Sequence, residues 1–390
     1  MDSNPRSLRI LHVLRAPVGG LFRHVMDLSR EQAARGHCVG IVADSSTGGE
    51  NASRQLAALE PSLKLGLMRI PMRRQPHLSD LPAIARIYRK VLRLRPDIVH
   101  GHGSKGGLYT RALGFLPCPK RAARVYTPHG GSFHQQPGHG LYMAVERLVE
   151  SKTDLLLFES DYIARQFAAR VGQTYALQRI AKNGLRPDEF IPVPAAPDAA
   201  DFLYIGELSS YKGVDTLIKA LAAIHAGGKW APRLVIVGCG AERDRLAAMV
   251  EHYELNRYVA FCGVRGAREA FALGRIVVAP SRAESLPYIV MEAIAAGKTI
   301  IATDVGGVAE IFGPCRDRLI PRDDPAALAQ AMIAALEKDP AQEAAEHAIL
   351  ARHVADHFSV CVMVSSVLAA YRQALARCEH ARPLTADATP

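Results

Sequence analysis

Short apolar, β-branched runs recur along the chain, each followed by a longer stretch whose apolar residues fall at helical spacing. That alternation predicts strands and helices in turn, and so an α/β protein built on doubly wound parallel sheets. In the first half the strand pattern falls on residues 9–14, 38–43, 97–100, 124–127 and 154–158. It restarts at 201–205, 234–237, 259–262, 276–279 and 299–302, which implies a second sheet of the same kind. Between the two sets lie Asn183-Gly184 and a stretch rich in proline and alanine over 192–200, the composition of a linker. The expected organisation is a first domain over 1–186, a second over 187–358, a last helix over 359–377 capped by Ser359, and a loose tail over 378–390.

The densest chemistry lies between Val277 and Ile311. Pro280 ends a buried strand, residues 281–286 form a loop, and Ser285 is the expected N-cap of a helix with Pro287 in its first turn. Glu284 then lies in the loop and Glu292 in the helix, with seven residues between them. A carboxylate accepts two hydrogen bonds at a spacing that suits a vicinal diol, and a helix start offers N–H groups to phosphate oxygens. The blander alternative is a strand, a turn and an amphipathic helix with two solvated glutamates.

Other loops at strand ends carry similar signals. Gly19-Gly20 precede an amphipathic helix, although the three spaced glycines and trailing acid of a dinucleotide fingerprint are missing. In the second half Gly206 begins a loop that brings Lys212-Gly213 to a helix start, where an ammonium can pair with a diphosphate. Gly238 and Gly240 precede a helix with acids in its first turn, and Gly306-Gly307 precede Glu310. His100, His102, His129, His134 and His139 crowd the first half, and Lys105-Gly106-Gly107 read as a flexible basic loop. No cysteine or acid joins these histidines at ligand spacing, so no metal is expected.

Composition narrows the class. The 390 residues, 49% of them hydrophobic, exceed a single core. No stretch reaches the roughly 18–20 apolar residues of a membrane span, and the seven cysteines stand singly, so a reduced, cytoplasmic protein is expected. Residues 1–186 carry 28 Lys and Arg against 13 Asp and Glu, a net of +15, while the rest carries 20 against 25, a net of −5. Nine of the basic residues lie between Lys64 and Arg95. Leu81, Ile84, Ile87, Tyr88, Val91 and Leu92 mark the apolar face of a helix there, with Arg86, Arg89, Lys90 and Arg93 on the other side. Such a helix suits a peripheral seat on the anionic inner face of a membrane as well as it suits a solvated surface. Nucleic acid is not expected, since no interleaved aromatic motif accompanies the charge.

Glu284, Glu292, Gly306-Gly307 and Glu310, with further motifs in the same order over nearly the whole chain, resemble the signature of the retaining glycosyltransferases of family 4. The resemblance implies a GT-B fold, two Rossmann-like domains facing across a cleft, with the acceptor on the N-terminal side, the nucleotide sugar on the C-terminal side, and the last helix crossing back. It implies transfer of a hexose from a nucleoside diphosphate to a hydroxyl acceptor, with no cofactor or metal. By the same resemblance His129, Glu284 and Lys212 serve the reaction. Gly19, Gly20, Gly206, Lys212, Gly238, Arg282, Glu284, Ser285, Leu286 and Glu292 hold the sugar nucleotide, and His102, Lys105 and His134 face the acceptor. The ESLPY and TPHGGSFH segments look most like enzymes of exopolysaccharide and lipid-linked glycan assembly.

Four positions depart from the family pattern. Glu207 replaces the usual arginine, so Arg282 or Arg265 is expected to compensate near the diphosphate. Leu185-Arg186 replace Val-Asp, and Lys298 replaces a proline in what reads as a surface change. Two other functions fit the same motifs: a sugar-nucleotide epimerase of this fold, and a non-catalytic nucleotide-sugar binder at a membrane surface.

Overall fold

The computed structural model describes residues 6–118, 121–130, 139–172 and 174–380. Two compact units emerge, one of Met1–Lys182 with Val360–Pro390 and the other of Asn183–Ser359.

In the first unit the elements run β1 (Arg9–Leu14), α1 (Gly19–Ala34), β2 (Cys38–Asp44), α2 (Gly49–Leu59), β3 (Gly66–Ile70), α3 (Asp80–Leu94), β4 (Ile98–His102), α4 (Gly103–Ala112), β5 (Ala123–Thr127), α5 (His139–Glu150), β6 (Leu155–Phe158), α6 (Asp161–Val171) and β7 (Leu177–Ile180). Among the described residues these seven strands are all parallel, in the order β3-β2-β1-β4-β5-β6-β7. The order reverses between β1 and β4, the place where sheets of this kind receive ligands beyond the carboxyl ends of their strands. Register sets His12 beside His100, Leu14 beside His102, and His102 beside Thr127, so the ends of β1, β4 and β5 lie together.

Central strands are buried on both faces, which is why they read as continuous apolar runs. Leu11, Val13 and Val99 pack against Ile87 and Val91 of α3. Each such side chain, fully removed from water, contributes about 1.5–3 kcal/mol. On α3, Arg86, Arg89 and Arg93 are exposed. Lys90, expected beside them, is buried, and its ammonium is pushed down by that burial and by Arg93.

The second unit runs β8 (Ala200–Ile205), α7 (Val214–Ala226), β9 (Leu234–Val237), α8 (Arg243–His252), β10 (Val259–Phe261), α9 (Ala267–Phe271), β11 (Gly274–Ala279), α10 (Tyr288–Ala295), β12 (Thr299–Ala302), α11 (Val308–Phe312), α12 (Pro325–Glu337) and α13 (Pro340–His357). Its five strands are also parallel, ordered β10-β9-β8-β11-β12, with the reversal between β8 and β11. Asp324 and Asp339 accept backbone N–H groups at the starts of α12 and α13, each with proline in the first turn. At the start of this unit the Leu185 N–H donates to the Phe358 carbonyl at 2.7 Å, beside a bridge between Leu185 and Ser359.

The last helix, α14 (Val360–His380), belongs to the first unit. Val364, Val367, Leu368 and Tyr371 join Ile10, Ile98, Val125 and Leu155 in one apolar cluster. Among the described residues no helix is long and apolar enough to cross a membrane.

Candidate functional site

In the second unit the chemistry gathers where β8, β9 and β11 end. Gly206 follows β8, Gly238 follows β9, and residues 281–286 follow β11. Lys212 closes a 3-10 turn before α7, and its Nζ lies 2.6 Å from Glu284 Oε1. The Ser281 hydroxyl donates to the same oxygen at 2.7 Å. An ammonium paired with a carboxylate at a sheet edge can exchange that partner for an incoming phosphate, and the carboxylate is then free for hydroxyls.

The glycines hold these loops in place. Gly306 has φ +59°, and a Cβ there would stand 1.8 Å from the Glu284 carbonyl oxygen. The Gly307 N–H donates to the Ser285 carbonyl at 2.8 Å, so this loop is the backing of the glutamate loop. Gly238, at φ +144°, would drive a Cβ to 1.8 Å from the Gly206 carbonyl. Only glycine fits either position without moving the chain.

α10 starts later than expected: its N-cap is Pro287, in an extended conformation, and Ser285 is not its cap. The ring-locked φ of proline suits the residue that leads into the helix. Leu286 is buried, and its carbonyl accepts from the Asn183 side-chain amide at 3.2 Å. Glu292 sits half-buried on α10, and Glu310 half-buried on α11 with its carbonyl accepting from His353 Nε2 at 3.1 Å.

The Arg282 guanidinium is engaged by neighbouring side chains and a carbonyl. Its Nη1 and Nη2 donate to the two Asp215 oxygens at 2.8 and 2.9 Å, Nη1 to the Ser210 carbonyl at 2.6 Å, Nη2 to the Thr216 hydroxyl at 3.1 Å, and Nε to Asp323. Hydrogen bonding to Asp215 outweighs burial and raises the guanidinium's affinity for its proton. Burial alone would raise the Asp215 carboxyl, but Arg282 holds it below its ordinary value. Arg265, the other cation considered, is exposed, as is Glu207. The Glu207 carbonyl accepts from Tyr204 Oη at 2.8 Å, and that phenol is pushed up by burial and by Glu284 and Glu207.

Lys298 is a correction to the sequence reading: it is 3% exposed, not on the surface. Its Nζ donates to the Gly274 carbonyl at 3.2 Å, and burial lowers its pKa.

In the first unit the strand ends bring together five buried histidines. His12 on β1, His24 on α1, His100 and His102 on β4, and His129 after β5 are each at most 8% exposed. His12 Nδ1 lies 2.9 Å from His102 Nε2, and His12 Nε2 lies 2.8 Å from the Gln32 amide. His102 Nδ1 lies 3.4 Å from His129 Nε2, whose own Nδ1 is 2.8 Å from Glu159 Oε2. His100 pairs with Tyr371 Oη at 2.7 Å and Thr127 Oγ1 at 2.8 Å. Burial, opposed in part by Gln32, pushes His12 down to about 4. Burial and the neighbouring rings likewise push His100 and His102 well below the ordinary histidine range.

Two triplets, His12–His100–His102 and His24–His102–His129, bring one ligand atom from each residue within 4.8 Å of one another. A metal would have to displace the hydrogen bonds that already engage both nitrogens of His12, His100, His102 and His129. Lys105 is not in a flexible loop. It lies in the first turn of α4, 7% exposed, with Nζ 2.6 Å from Asp80 Oδ2. Gly19 and Gly20 are the first two residues of α1 rather than a loop ahead of it. His134 lies outside the described residues.

Sequence reading missed Asp215, His12, His24, Gln32, Glu159 and Tyr371. His12 and His24 broke the apolar pattern of a central strand and a buried helix face, and that was the available signal.

The sequence pattern described as Glycosyltransferase Family 4 matches residues 18–189, and that of Glycosyl transferases group 1 matches residues 199–338. The chain is 31% identical to the glycosyltransferase EpsD of Bacillus subtilis, over 62% of this chain and 68% of that one. It is 27% identical to a glycogen synthase of Mycobacterium tuberculosis, over 83% and 84%. In solved structures it resembles Anabaena HepE in complex with UDP, at a TM-score of 0.75 and 19% identity, covering 94% of this chain and 100% of that one.

Proposed function

The chain belongs to the group 1 glycosyl transferases of family 4, and from that premise we propose that it moves a hexose from a nucleoside diphosphate to a hydroxyl acceptor with retention at the anomeric carbon. The observation that carries the reading is the pairing of Lys212 with Glu284 at the carboxyl edge of the second sheet, backed by Gly306. On this reading Glu284 positions the hexose and Glu292 takes the ribose hydroxyls. Lys212 transfers its ion pair to the departing diphosphate, with helix starts adding positive potential. Gly206 and Gly238 give the nucleotide backbone room, Ser285 and Leu286 line the glutamate loop, and Arg282 orders α7 beside it through Asp215. Gly19 and Gly20 begin a helix that serves the phosphate or the acceptor, and the β5 end that carries His129 borders the reaction centre. His102 and Lys105 support the acceptor side from within the unit.

No divalent ion takes part in the proposed transfer, because Lys212 and the helix ends supply the charge. The acceptor is a glycan or lipid-linked precursor, as the ESLPY segment suggests. Exposed Arg86, Arg89 and Arg93 support a peripheral seat on anionic lipid. A panel of sugar nucleotides in a thermal shift assay tests the reading, since a bound ligand stabilises the fold by mass action. UDP-glucose heads the panel because HepE was crystallised with it. The expected result is a rise in Tm with one sugar nucleotide and its consumption only with an acceptor. Conversion without an acceptor would mark an epimerase, and binding with no conversion under any acceptor a non-catalytic protein.

A further inference from the structure

We infer that Glu159 is a positioning residue for His129, and that it sets the direction of a buried hydrogen-bond chain running through Gln32, His12, His102 and His129. The inference deepens the proposed function, because it rests on the β5 end bordering the reaction centre.

An ionised carboxylate only accepts hydrogen bonds. Glu159 Oε2 lies 2.8 Å from His129 Nδ1, and Oε1 lies 3.1 Å from the Gly130 amide, so both neighbours donate. In a neutral ring the His129 proton is then on Nδ1, and Nε2 accepts. Facing it at 3.4 Å is His102 Nδ1, which carries the next proton. His102 Nε2 accepts in turn from His12 Nδ1 at 2.9 Å. Burial of His12 and His102 favours their neutral form throughout.

His12 Nε2 is left as an acceptor, and the Gln32 amide lies 2.8 Å away. With Oε1 turned to the ring, two acceptors would face each other and the buried Gln32 Nε2 would have only Tyr371 Oη nearby, outside good hydrogen-bond geometry. A buried donor that forms no good bond gives up its hydration for nothing in return. Turning the amide over removes both faults, and every bond in the chain then points toward Glu159. The carboxylate thereby fixes the His129 ring and the Gly130 amide together, at the point where β5 gives way to its loop. His24 and His100 pack against these rings, His24 with its centroid 5.1 Å from that of His129 and His100 3.9 Å from that of His102.

A Glu159→Gln variant keeps the size of the side chain and replaces one acceptor by an NH2 group. With its oxygen on the Gly130 N–H, its amine faces His129 Nδ1, which must give up its proton and accept. The His129 proton moves to Nε2, His102 and His12 follow, and Gln32 turns back. One substitution thus reverses three tautomers without changing the charge on any ring.

Histidine-selective 15N labelling of the full chain, read by long-range proton–nitrogen correlation near neutral pH, tests this directly. The wild type is expected to show Nδ1–H at His12, His102 and His129. Glu159→Gln should show Nε2–H at all three, with a retained melting transition, and Glu159→Asp should restore Nδ1–H. Turnover of Glu159→Gln should fall roughly tenfold, short of the about 10²-fold that a 1 Å misplacement costs, with the donor KM nearly unchanged. His129 as Nε2–H in the wild type, unchanged tautomers in Glu159→Gln, or shifts showing a bound metal would overturn the inference. Reversed tautomers with full turnover would uphold the chain and remove His129 from the reaction centre.

Discussion

Gly306→Ala is the sharpest probe of how the glutamate loop is held. The residue has φ +59°, where a side chain costs about 1–2 kcal/mol, and its Cβ would sit 1.8 Å from the Glu284 carbonyl oxygen. Real Cβ contacts are not closer than 3.0 Å, so the loop must retreat by about 3.0 − 1.8 = 1.2 Å. Gly297→Ala is the matched control, because its φ of +76° carries the same strain while its nearest neighbour, Pro192 Cβ, is 3.5 Å away. In a unit the size of Asn183–Ser359, 1 kcal/mol moves Tm by about 2–4 °C, so strain alone predicts a fall of roughly 2–8 °C for Gly297→Ala. Gly306→Ala adds about 1–3 kcal/mol of overpacking, and its 1 Å displacement of Glu284 predicts about 10²-fold lower kcat. Differential scanning fluorimetry and steady-state transfer kinetics measure both. Gly306→Ala with kcat within about threefold of the wild type would refute the claim that this contact holds Glu284 in its working position.

Further outcomes follow from the same geometry. Lys212→Ala should lower kcat about 10²-fold, as loss of a charge-stabilising group does, and Glu292→Ala should raise the donor KM about tenfold or more with a smaller change in kcat, both read by initial rates. Arg282→Ala leaves Asp215 and Asp323 without their cation and should cost about 1–3 kcal/mol of stability, since the pair is only partly buried. Asp215 is depressed when folded, so its contribution is present above its ordinary value of 3.8 and is lost as pH falls through the lower folded value. Asp215→Asn should flatten that limb of the acid-denaturation curve. Lys298 is lowered by burial, so the unfolded state binds more protons and stability rises with pH up to the ordinary value of 10.5. Lys298→Met should abolish that rise in urea unfolding measured across alkaline pH.

The second sheet was legible almost strand by strand, because β9 and β12 are short, buried apolar runs with no other reading. β3 and β7 were missed, since edge strands are half exposed and carry Arg69 and Arg179 among apolar residues. Lys90, Lys105 and Lys298 were read as surface cations or loop residues. Each is buried by packing that periodicity does not show, two of them against Asp80 or the Gly274 carbonyl, both 24 or 25 residues away. The glutamate loop was visible as chemistry, whereas its hold on Gly306 and the Arg282–Asp215 pair depend on strand order. The histidine cluster depended on register: His12 and His100 are neighbours only because β1 pairs with β4.

The most direct test of how the second unit holds its donor is a crystal structure of the chain with an intact nucleotide sugar. The hexose is expected against Glu284, the ribose hydroxyls on Glu292, and the Lys212 ammonium moved from Glu284 to the diphosphate. A nucleotide bound elsewhere, with the Lys212–Glu284 pair still closed at 2.6 Å, would contradict that placement.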